Sequence, residues 1–312
     1  MKSKPILRFV FLLASLLLLP AILPAFQNTN SLVLRVTVSD KRGFPISGLV
    51  AENFSVSVDD QPQKILSLSA QDSPASVGFL IDVSGSQPIN KTTTAVVPRD
   101  PCRQGIARFF DLSHRENEYF LMTFNSEVQL RQDWTSDSQA ILQKVASLTF
   151  DKRTSLNDAV QMGIKKVTTG RNAKRVLVLI TNGLDTNSRS EFVDARDLLR
   201  ESDVVLYAVG ILPVQPRDWS LPIEAQAVLD ELSEGSGGRS HYVTTADGSR
   251  VFKEIFELIA LEVRAQYQLA IASPSSTGGK AKWHKVKIKV TRINPKGKLE
   301  QLQARTRQTY PN

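Results

Sequence analysis

Cysteine and histidine are scarce in this sequence of 312 residues, which has one cysteine and three histidines. Cys102 therefore cannot form an internal disulfide, and the hydrophobic core must hold the fold together. We expect Cys102 to be a small buried residue, and the alternative is a thiol that links two copies. No histidine lies in a His-Glu-x-x-His spacing, and Gly-x-Ser-x-Gly is missing. We therefore expect a protein that is not an enzyme.

Long apolar runs are also missing, apart from one near the start of the sequence. Residues 9–19 are almost wholly apolar, follow three cationic residues and precede a segment of small residues and prolines that ends at Ala25. This arrangement predicts a signal peptide over residues 1–25 and export to the periplasm or the exterior. The alternative is a membrane anchor, for which the run is short. We expect no transmembrane segment in the mature chain.

The net excess of positive charge after residue 25 lies at one end of the sequence. The formal net charge is +8, yet residues 280–312 hold ten Lys or Arg and one acid, whereas residues 26–279 sum to −4. We therefore expect no nucleic-acid partner. Within the basic segment, Lys285, Lys287 and Lys289 alternate with apolar residues. They predict a strand whose solvated lysines discourage edge pairing, and the alternative is a patch for an anionic cell-surface polymer.

The most informative stretch is an apolar run that ends in a carboxylate. Residues 77–81 predict a buried strand, and Asp82, Ser84 and Ser86 follow it at alternate positions. In open α/β sheets, ligands bind at the carboxyl ends of such strands. An Asp-x-Ser-x-Ser loop offers oxygen ligands with little charge, which suits Mg²⁺ or another small divalent cation. The alternative is a serine-rich turn between a strand and a helix.

Two later stretches support a metal site. Residues 153–159 read Arg-Thr-Ser-Leu-Asn-Asp-Ala, and residues 180–185 read Ile-Thr-Asn-Gly-Leu-Asp. With them, the chain resembles a von Willebrand factor type A domain with its metal-ion-dependent adhesion site. The resemblance covers roughly residues 74–262 and is closest to the secreted bacterial, acidobacterial-type branch. It implies an α/β fold with a doubly wound, mostly parallel, Rossmann-like sheet.

The resemblance also implies how the site works. In the family, two serines and a threonine bind the ion directly, acidic residues often act through water, and a carboxylate of a protein partner fills an open position. The matching residues here are Ser84, Ser86, Thr154 and Asp82. The implied cofactor is Mg²⁺, or alternatively Mn²⁺ or Ca²⁺. Neutral ligands leave the ion most of its charge, so it attracts an anion.

One position departs from the family pattern. Asn182 stands where the family has a third acidic ligand, and its amide oxygen can ligate without adding charge. Asp185, three residues later, is a further candidate ligand, or else a cap for the next helix. We therefore expect an exported adhesion protein that binds a partner's carboxylate through a divalent cation. The alternatives are a metal-free interaction scaffold and a binder of acidic polysaccharide.

The hydrophobic patterns divide the chain into parts. Residues 26–72 predict a β segment, residues 73–262 the von Willebrand domain, and residues 263–312 a second β segment. We expect the two β segments to complete one all-β sandwich, because each is too small to stand alone. Strands are expected at 77–81, 118–124, 174–181 and 204–209, and near Tyr242.

Helix boundaries can be predicted at two places around the proposed site. Pro98 and Pro101 interrupt the segment where a helix should follow the Asp82 loop, so we expect a loop over 87–98 and a helix from Asp100 with Pro101 at its first position. Ser155 and Asp158 have the spacing of a capping box for a helix that ends before Gly170.

Overall fold

A computed structural model describes residues 31–86, 94–95, 97–149, 153–214, 220–244, 246–272, 283–294 and 296–310. The predicted signal peptide at 1–25 and most of the predicted loop at 87–98 lie outside these residues. In the part of the chain that is described, no helix combines the length and apolar composition needed to cross a membrane.

The described residues form strands and helices in the following chain order. The strands are β1 (Ser31–Ser39), β2 (Phe54–Val58), β3 (Gln61–Gln63), β4 (Ile65–Ser69), β5 (Ala75–Asp82), β6 (Gly85–Ser86), β7 (Thr94–Ala95), β8 (Glu118–Phe124), β9 (Val128–Thr135), β10 (Lys174–Thr181), β11 (Val204–Leu212), β12 (Ser240–Thr244), β13 (Tyr267–Ala272), β14 (His284–Ile293), β15 (Leu299–Arg305) and β16 (Thr309–Tyr310). The helices are α1 (Arg99–Leu112), α2 (Ser138–Ala146), α3 (Leu156–Val167), α4 (Phe192–Glu201), α5 (Ser220–Gly235) and α6 (Ser249–Arg264).

The middle of the chain is an α/β domain. Its six-stranded sheet has the order β12-β11-β10-β5-β8-β9, and every pair is parallel except β8 with β9. Helices α1, α2 and α6 pack on one face of the sheet, and α3, α4 and α5 pack on the other. The predicted doubly wound, mostly parallel sheet is confirmed. Strand order reverses between β5 and β10, where ligands bind in folds of this kind.

Strand β5 lies at the centre of this domain and is buried along its whole length. Phe79 and Ile81 face α1 and α6, whereas Leu80 faces α3, because successive side chains point to opposite faces. Gly78 allows the neighbouring strand to pack closely, since a Cβ there would lie 2.1 Å from the ring of Phe120. The apolar run therefore fixes the carboxyl end of β5 firmly in the core.

The two ends of the chain build a separate all-β domain, as predicted. Its strands follow the order β3-β2-β14-β15-β1-β13-β4, with β16 paired to β14. Strand β1 pairs with β13 along its first part and with β15 along its last three residues. The ring of Phe54 on β2 contacts that of Tyr267 on β13 at 5.2 Å between centroids, although these strands are not neighbours. The sheet therefore folds over a common core.

Strand β14 corrects one expectation about the lysine-rich strand. Lys285, Lys287 and Lys289 are exposed, as predicted, but β14 lies between β2 and β15 and is not an edge. The lysines therefore do not mark an edge strand, because β2 pairs with residues 286–290 of β14 and β15 pairs with residues 290–293. The alternating pattern predicts the exposed face correctly, yet it carries no information about strand order.

The β domain attaches to the amino-terminal edge of the parallel sheet. Arg35 donates to the carbonyl oxygen of Ala173 at 2.5 Å, directly before β10. Arg307 donates to the carbonyl oxygen of Ser202 at 2.5 Å, shortly before β11. The loops that carry Asp82, Ser84, Asn182 and Asp185 follow the carboxyl ends of β5 and β10. The β domain therefore lies at the amino-terminal ends of the parallel strands, and the candidate site lies at their carboxyl ends.

Helix α1 begins earlier than expected. Its first residue is Arg99, so Pro101 occupies the third helical position and not the first. The first four N–H groups of a helix have no partner within it, so a proline costs no hydrogen bond at any position of the first turn. This is why the position of the proline predicts the start of the helix only approximately.

Candidate metal centre

Asp82 is held by its own loop and by the neighbouring strand. It is the last residue of β5 and is completely buried. Its Oδ1 accepts a hydrogen bond from the Ser84 amide at 2.8 Å, and its Oδ2 accepts one from the Thr181 hydroxyl at 2.6 Å. Thr181 is the last residue of β10. The carboxylate is thus fixed where the strand order reverses.

The surroundings of Asp82 leave its charge without a counterion. Burial raises the pKa of Asp82, and hydrogen bonds from Ser84 and Thr181 oppose this rise. Among the residues that the structure describes, no lysine, arginine or histidine forms an ion pair with it. Burying an unpaired carboxylate is costly. Its hydroxyl-rich surroundings are chemically suited to a small divalent cation.

The Thr154 loop is tied to the loop after β10. Thr154 is buried, and its carbonyl oxygen accepts hydrogen bonds from the amides of Thr186 at 2.9 Å and Asn187 at 3.0 Å. Its own amide donates to the Thr186 hydroxyl at 3.0 Å. The amide of Ser155 donates to the carbonyl oxygen of Asn125, just after β8, at 2.7 Å. Three loops therefore form one hydrogen-bonded unit around the candidate site.

Asn182 shapes the turn after β10. Its Oδ1 accepts a hydrogen bond from the amide of Leu184 at 3.1 Å, which is an Asx turn. The next residue, Gly183, has a φ of +82°, and a Cβ there would lie 2.7 Å from the carbonyl oxygen of Ala225 on α5. An amide oxygen accepts two hydrogen bonds, so a second lone pair is left for a ligand. Ligation by Asn182 stays a prediction.

Asp185 caps α3, which precedes it in the chain, and not the helix that follows. Its Oδ2 accepts from the Asn157 amide, in the first turn of α3, at 2.9 Å. Its Oδ1 accepts from the amides of Asn187 at 3.1 Å and Ser188 at 3.0 Å. Asp185 therefore positions the Thr154 loop relative to the loop after β10. Its role as a metal ligand stays a prediction.

The predicted capping box at the start of α3 does not form. Ser155 is the N-cap residue, but its hydroxyl donates to the Ser126 carbonyl oxygen at 3.2 Å. The carboxylate of Asp158 accepts from the amides of Arg189 at 3.0 Å and Ser190 at 3.1 Å. The loop after β10 supplies the cap, so a tertiary contact replaces the local one that the spacing predicts.

Of the two predicted serine ligands, the structure describes the side chain of Ser84 but not that of Ser86. Ser84 is buried beside Asp82. The backbone of Ser86 pairs with Thr94 in the β6–β7 ladder, and its side chain lies outside the described part of the structure. Among the described residues, no cluster of three or more His, Cys, Asp or Glu could hold a metal ion. A site here would rely on hydroxyl and amide oxygens.

Two threonines that the sequence does not single out contribute to the site. Thr181 holds Asp82, and Thr186 holds the Thr154 loop. Thr181 belongs to a predicted apolar strand, and its role depends on β10 lying next to β5. The spacing of residues in the sequence does not indicate that these two strands are paired. A hydroxyl at the end of an otherwise apolar buried strand is the one signal available.

Comparison with protein families identifies the α/β domain. The sequence profile of the von Willebrand factor type A domain matches residues 76–258, which is more than half of the chain. The chain belongs to this family. The matched region begins within β5 and ends within α6, and so includes all the loops of the candidate site. The profile does not distinguish branches of the family, and the secreted bacterial branch stays a prediction.

Solved structures of similar fold come from several organisms. A von Willebrand factor type A protein from Catenulispora acidiphila aligns over 89% of this chain and 74% of its own, at 12% identity and a TM-score of 0.49. A D319A mutant of the PilB minor pilin from Streptococcus sanguinis aligns over 61% of this chain, at 15% identity and a TM-score of 0.47. The chain spans 62% of the length of that pilin.

A third solved structure is the vWF domain of the type V pili tip protein Mfa5 from Porphyromonas gingivalis. It aligns over 61% of this chain and 96% of its own length, at 12% identity and a TM-score of 0.47. No curated protein matches this sequence. At these identities, structural similarity concerns the fold alone.

Proposed function

We propose that this protein is an exported, non-catalytic adhesion protein that binds a divalent cation at the loops after β5 and β10. Mg²⁺ is the expected ion, and Mn²⁺ or Ca²⁺ are alternatives. Through the ion, the protein would bind an acidic group of a protein partner, in the periplasm or outside the cell. The observation that supports this proposal best is the buried Asp82 carboxylate, which has no cationic partner among the described residues.

The residues of the proposed site divide into three roles. The hydroxyls of Ser84, Ser86 and Thr154 would ligate the ion directly, whereas Asp82 would supply charge through its fixed carboxylate. Asn182 would contribute a neutral oxygen. A bound divalent cation supplies the positive charge that attracts a carboxylate. Asp82 is the one of these five side chains that carries charge, and the carboxylate of the further candidate Asp185 already accepts three backbone hydrogen bonds. The loaded site would therefore keep a net positive charge for a partner.

Metal binding can be tested by titration calorimetry and thermal unfolding of the chain from residue 26, which retains every described residue. Mg²⁺ or Mn²⁺ should raise the unfolding midpoint above that in EDTA, because a ligand of the native state stabilises it. At a concentration of about 100 times Kd the gain is about 2.7 kcal/mol. Ser84→Ala and Thr154→Ala should abolish the shift.

Ser39→Ala is the matched control for these variants. Ser39 is buried in β1 of the other domain, and its hydroxyl has no hydrogen-bond partner among the described residues. The control variant should keep the full metal-dependent shift. Equal midpoints in Mg²⁺, Mn²⁺ and EDTA, together with no heat of binding, would contradict the proposed metal site.

Asn182 favours a second candidate function, a metal-free interaction scaffold. Its amide oxygen serves the turn, and it brings no charge to the site. Under this alternative, a partner binds through the shape of the loops alone. A pull-down from the envelope fraction separates the two functions, since EDTA should release a metal-dependent partner and leave a metal-independent one bound.

A further inference from the structure

The hairpin of β14 and β15 ends in two exposed apolar side chains. Ile293 is 65% exposed and Leu299 is 73% exposed, which is the highest value among the large hydrophobic side chains that the structure describes. The two residues are direct partners in the antiparallel ladder, so their side chains lie next to each other on one face. The tip therefore presents a contiguous apolar pair to the solvent.

Hydrogen bonds within the turn hold this tip in place. The Asn294 amide donates to the Lys298 carbonyl oxygen, and the Gly297 amide donates to the Asn294 carbonyl oxygen, both at 2.9 Å. The Asn294 side chain accepts from the amides of Lys296 and Lys298, each at 3.0 Å. The backbone that carries the apolar pair is thus already ordered, so binding through it costs little backbone entropy.

Cationic residues surround the apolar pair. Lys289, Lys287 and Lys285 occupy alternate positions before Ile293 and share its outward face, while Val286 and Val290 point into the core. Lys296 and Lys298 lie in the turn itself. Lys287 forms an ion pair with Asp60.

The acidic groups near the tip do not cancel this charge. Glu300, the one acid of residues 283–310, is paired with Arg292 across the ladder at 3.3 Å. Asp60 offsets Lys287 further from the tip. Among the described residues, Lys289, Lys296 and Lys298 form no ion pair, so the face stays positive next to its apolar end.

We propose that this hairpin tip docks on an anionic lipid bilayer. Ile293 and Leu299 would enter the interface between headgroups and acyl chains, and the lysines would contact anionic headgroups. An apolar surface combined with flanking lysines is the arrangement by which proteins bind at the surface of such membranes. A soluble polyanion would use the lysines and leave the apolar pair in water, so the pair favours a bilayer.

The position of the tip leaves it free to reach a membrane. Arg305, at the other end of β15, donates to Glu262 of the α/β domain at 2.5 Å. Arg305 lies six residues after Leu299 in this strand, which is about 20 Å at the usual rise. The tip is therefore well separated from this contact with the α/β domain, and the proposed metal site lies at the opposite ends of the parallel strands.

Vesicle co-sedimentation tests the proposal with the chain from residue 26. The protein should bind vesicles of equimolar phosphatidylglycerol and phosphatidylcholine about tenfold or more tightly than pure phosphatidylcholine vesicles. The double variant Ile293→Ser/Leu299→Ser should weaken binding about tenfold or more. Ile223→Ser is the matched control, because Ile223 is 64% exposed on α5, and it should bind as the wild type does.

A fluorescent variant provides an independent readout. Leu299→Trp should show a blue-shifted emission with phosphatidylglycerol vesicles and no shift with phosphatidylcholine, because only insertion removes the indole from water. Failure to bind the anionic vesicles would overturn the proposal. A second result would also overturn the proposal: Lys296→Gln/Lys298→Gln abolishes vesicle binding while Ile293→Ser/Leu299→Ser binds as the wild type does. Attraction of the lysines to any polyanion would then explain the vesicle binding.

Discussion

Asn182 is the residue at which this chain differs most clearly from the family pattern. It forms the Asx turn with Leu184, and an aspartate in the same place could accept that hydrogen bond equally well. The turn therefore does not require an amide. The amide instead changes the charge of the proposed site. With Asn182 in place, Asp82 and Asp185 are the two carboxylates among the candidate ligands.

Asn182→Asp should bind a divalent cation more tightly. The added charge attracts the ion strongly at short range, although desolvation offsets much of the gain, so we expect about 1–3 kcal/mol, or roughly fivefold to 150-fold in affinity. Binding of an acidic partner should weaken, since the loaded site is then more neutral. Titration calorimetry measures both quantities. Changes of only a few tenths of a kcal/mol would mean that Asn182 serves the turn alone.

His241 gives the protein a pH dependence away from the proposed site. Burial and the nearby guanidinium groups of Arg239 and Arg305 lower the pKa of His241 to about 4. Between about pH 6.5 and 4 the unfolded chain binds a proton that the folded chain does not, so stability is lost as the pH falls. The loss should be on the order of 3 kcal/mol and should level off below the folded pKa.

Urea denaturation at several pH values tests this effect of His241. His241→Leu removes the titrating group, so its stability should fall less than that of the wild type between about pH 6.5 and 4. The difference between the two profiles isolates this residue from the carboxylates that titrate in the same range. Parallel profiles would show that His241 is protonated equally in both states.

At the scale of elements, α3 depends on a loop that is distant in sequence. Asp185 and Ser188 cap its first turn through the amides of Asn157 and Asp158. Asp185→Ala should therefore lower the free energy of unfolding by about 1 kcal/mol, the usual effect of a lost cap. Asp111→Ala, at an exposed position on α1, is the control and should change stability little. Urea denaturation in EDTA measures both without a contribution from metal.

A loss of stability in Asp185→Ala equal to that in Asp111→Ala would contradict the capping role. Asp185→Asn should restore part of the cap, because an amide oxygen still accepts the hydrogen bonds. Asp185 should also affect metal binding if its cap positions the Thr154 loop. Asp185→Ala should then weaken binding of Mg²⁺ or Mn²⁺, measured by calorimetry, even though the variant keeps the Thr154 hydroxyl.

The elements that the sequence predicts well are those with an unmistakable apolar pattern. Strands over 118–124 and 174–181 are confirmed at both ends, and the strand over 204–209 is confirmed at its start. The edge strand β9 was not predicted, because its side chains are only partly buried and show no regular alternation.

The candidate site shows the same limit of prediction. Asp82, Ser84 and Thr154 could be found because their motifs are local in sequence. The support that Thr181 and Asp185 give them depends on which strands are neighbours and on how a loop returns to α3. Such long-range contacts are decided by the packing of the whole chain, and no spacing within a single segment reveals them.

At the scale of the whole molecule, the two β segments depend on each other. Strand β14 pairs with β2, and β15 pairs with β1. Deleting residues 280–312 should therefore leave the strands of residues 31–69 open to proteases. The α/β domain should survive, because its two core clusters lie within residues 75–263. Limited proteolysis followed by mass spectrometry identifies the protected fragment.

The undeleted chain is the control for this experiment and should resist proteolysis across both domains. Protection of residues 31–69 in the deleted chain would contradict the shared β domain. Loss of all protected fragments would show instead that the α/β domain needs its contacts with the tail, such as that between Glu262 and Arg305.

The pairing of the chain's two ends sets an order of events during synthesis. The Tyr267 hydroxyl accepts a hydrogen bond from the Leu49 amide, 218 residues earlier in the chain. The first four strands are therefore made long before their partners, whereas the α/β domain is complete in sequence once α6 has emerged. Contacts this distant form slowly. The α/β domain would thus fold first, and its folding would bring the two ends of the chain together before the β domain closes.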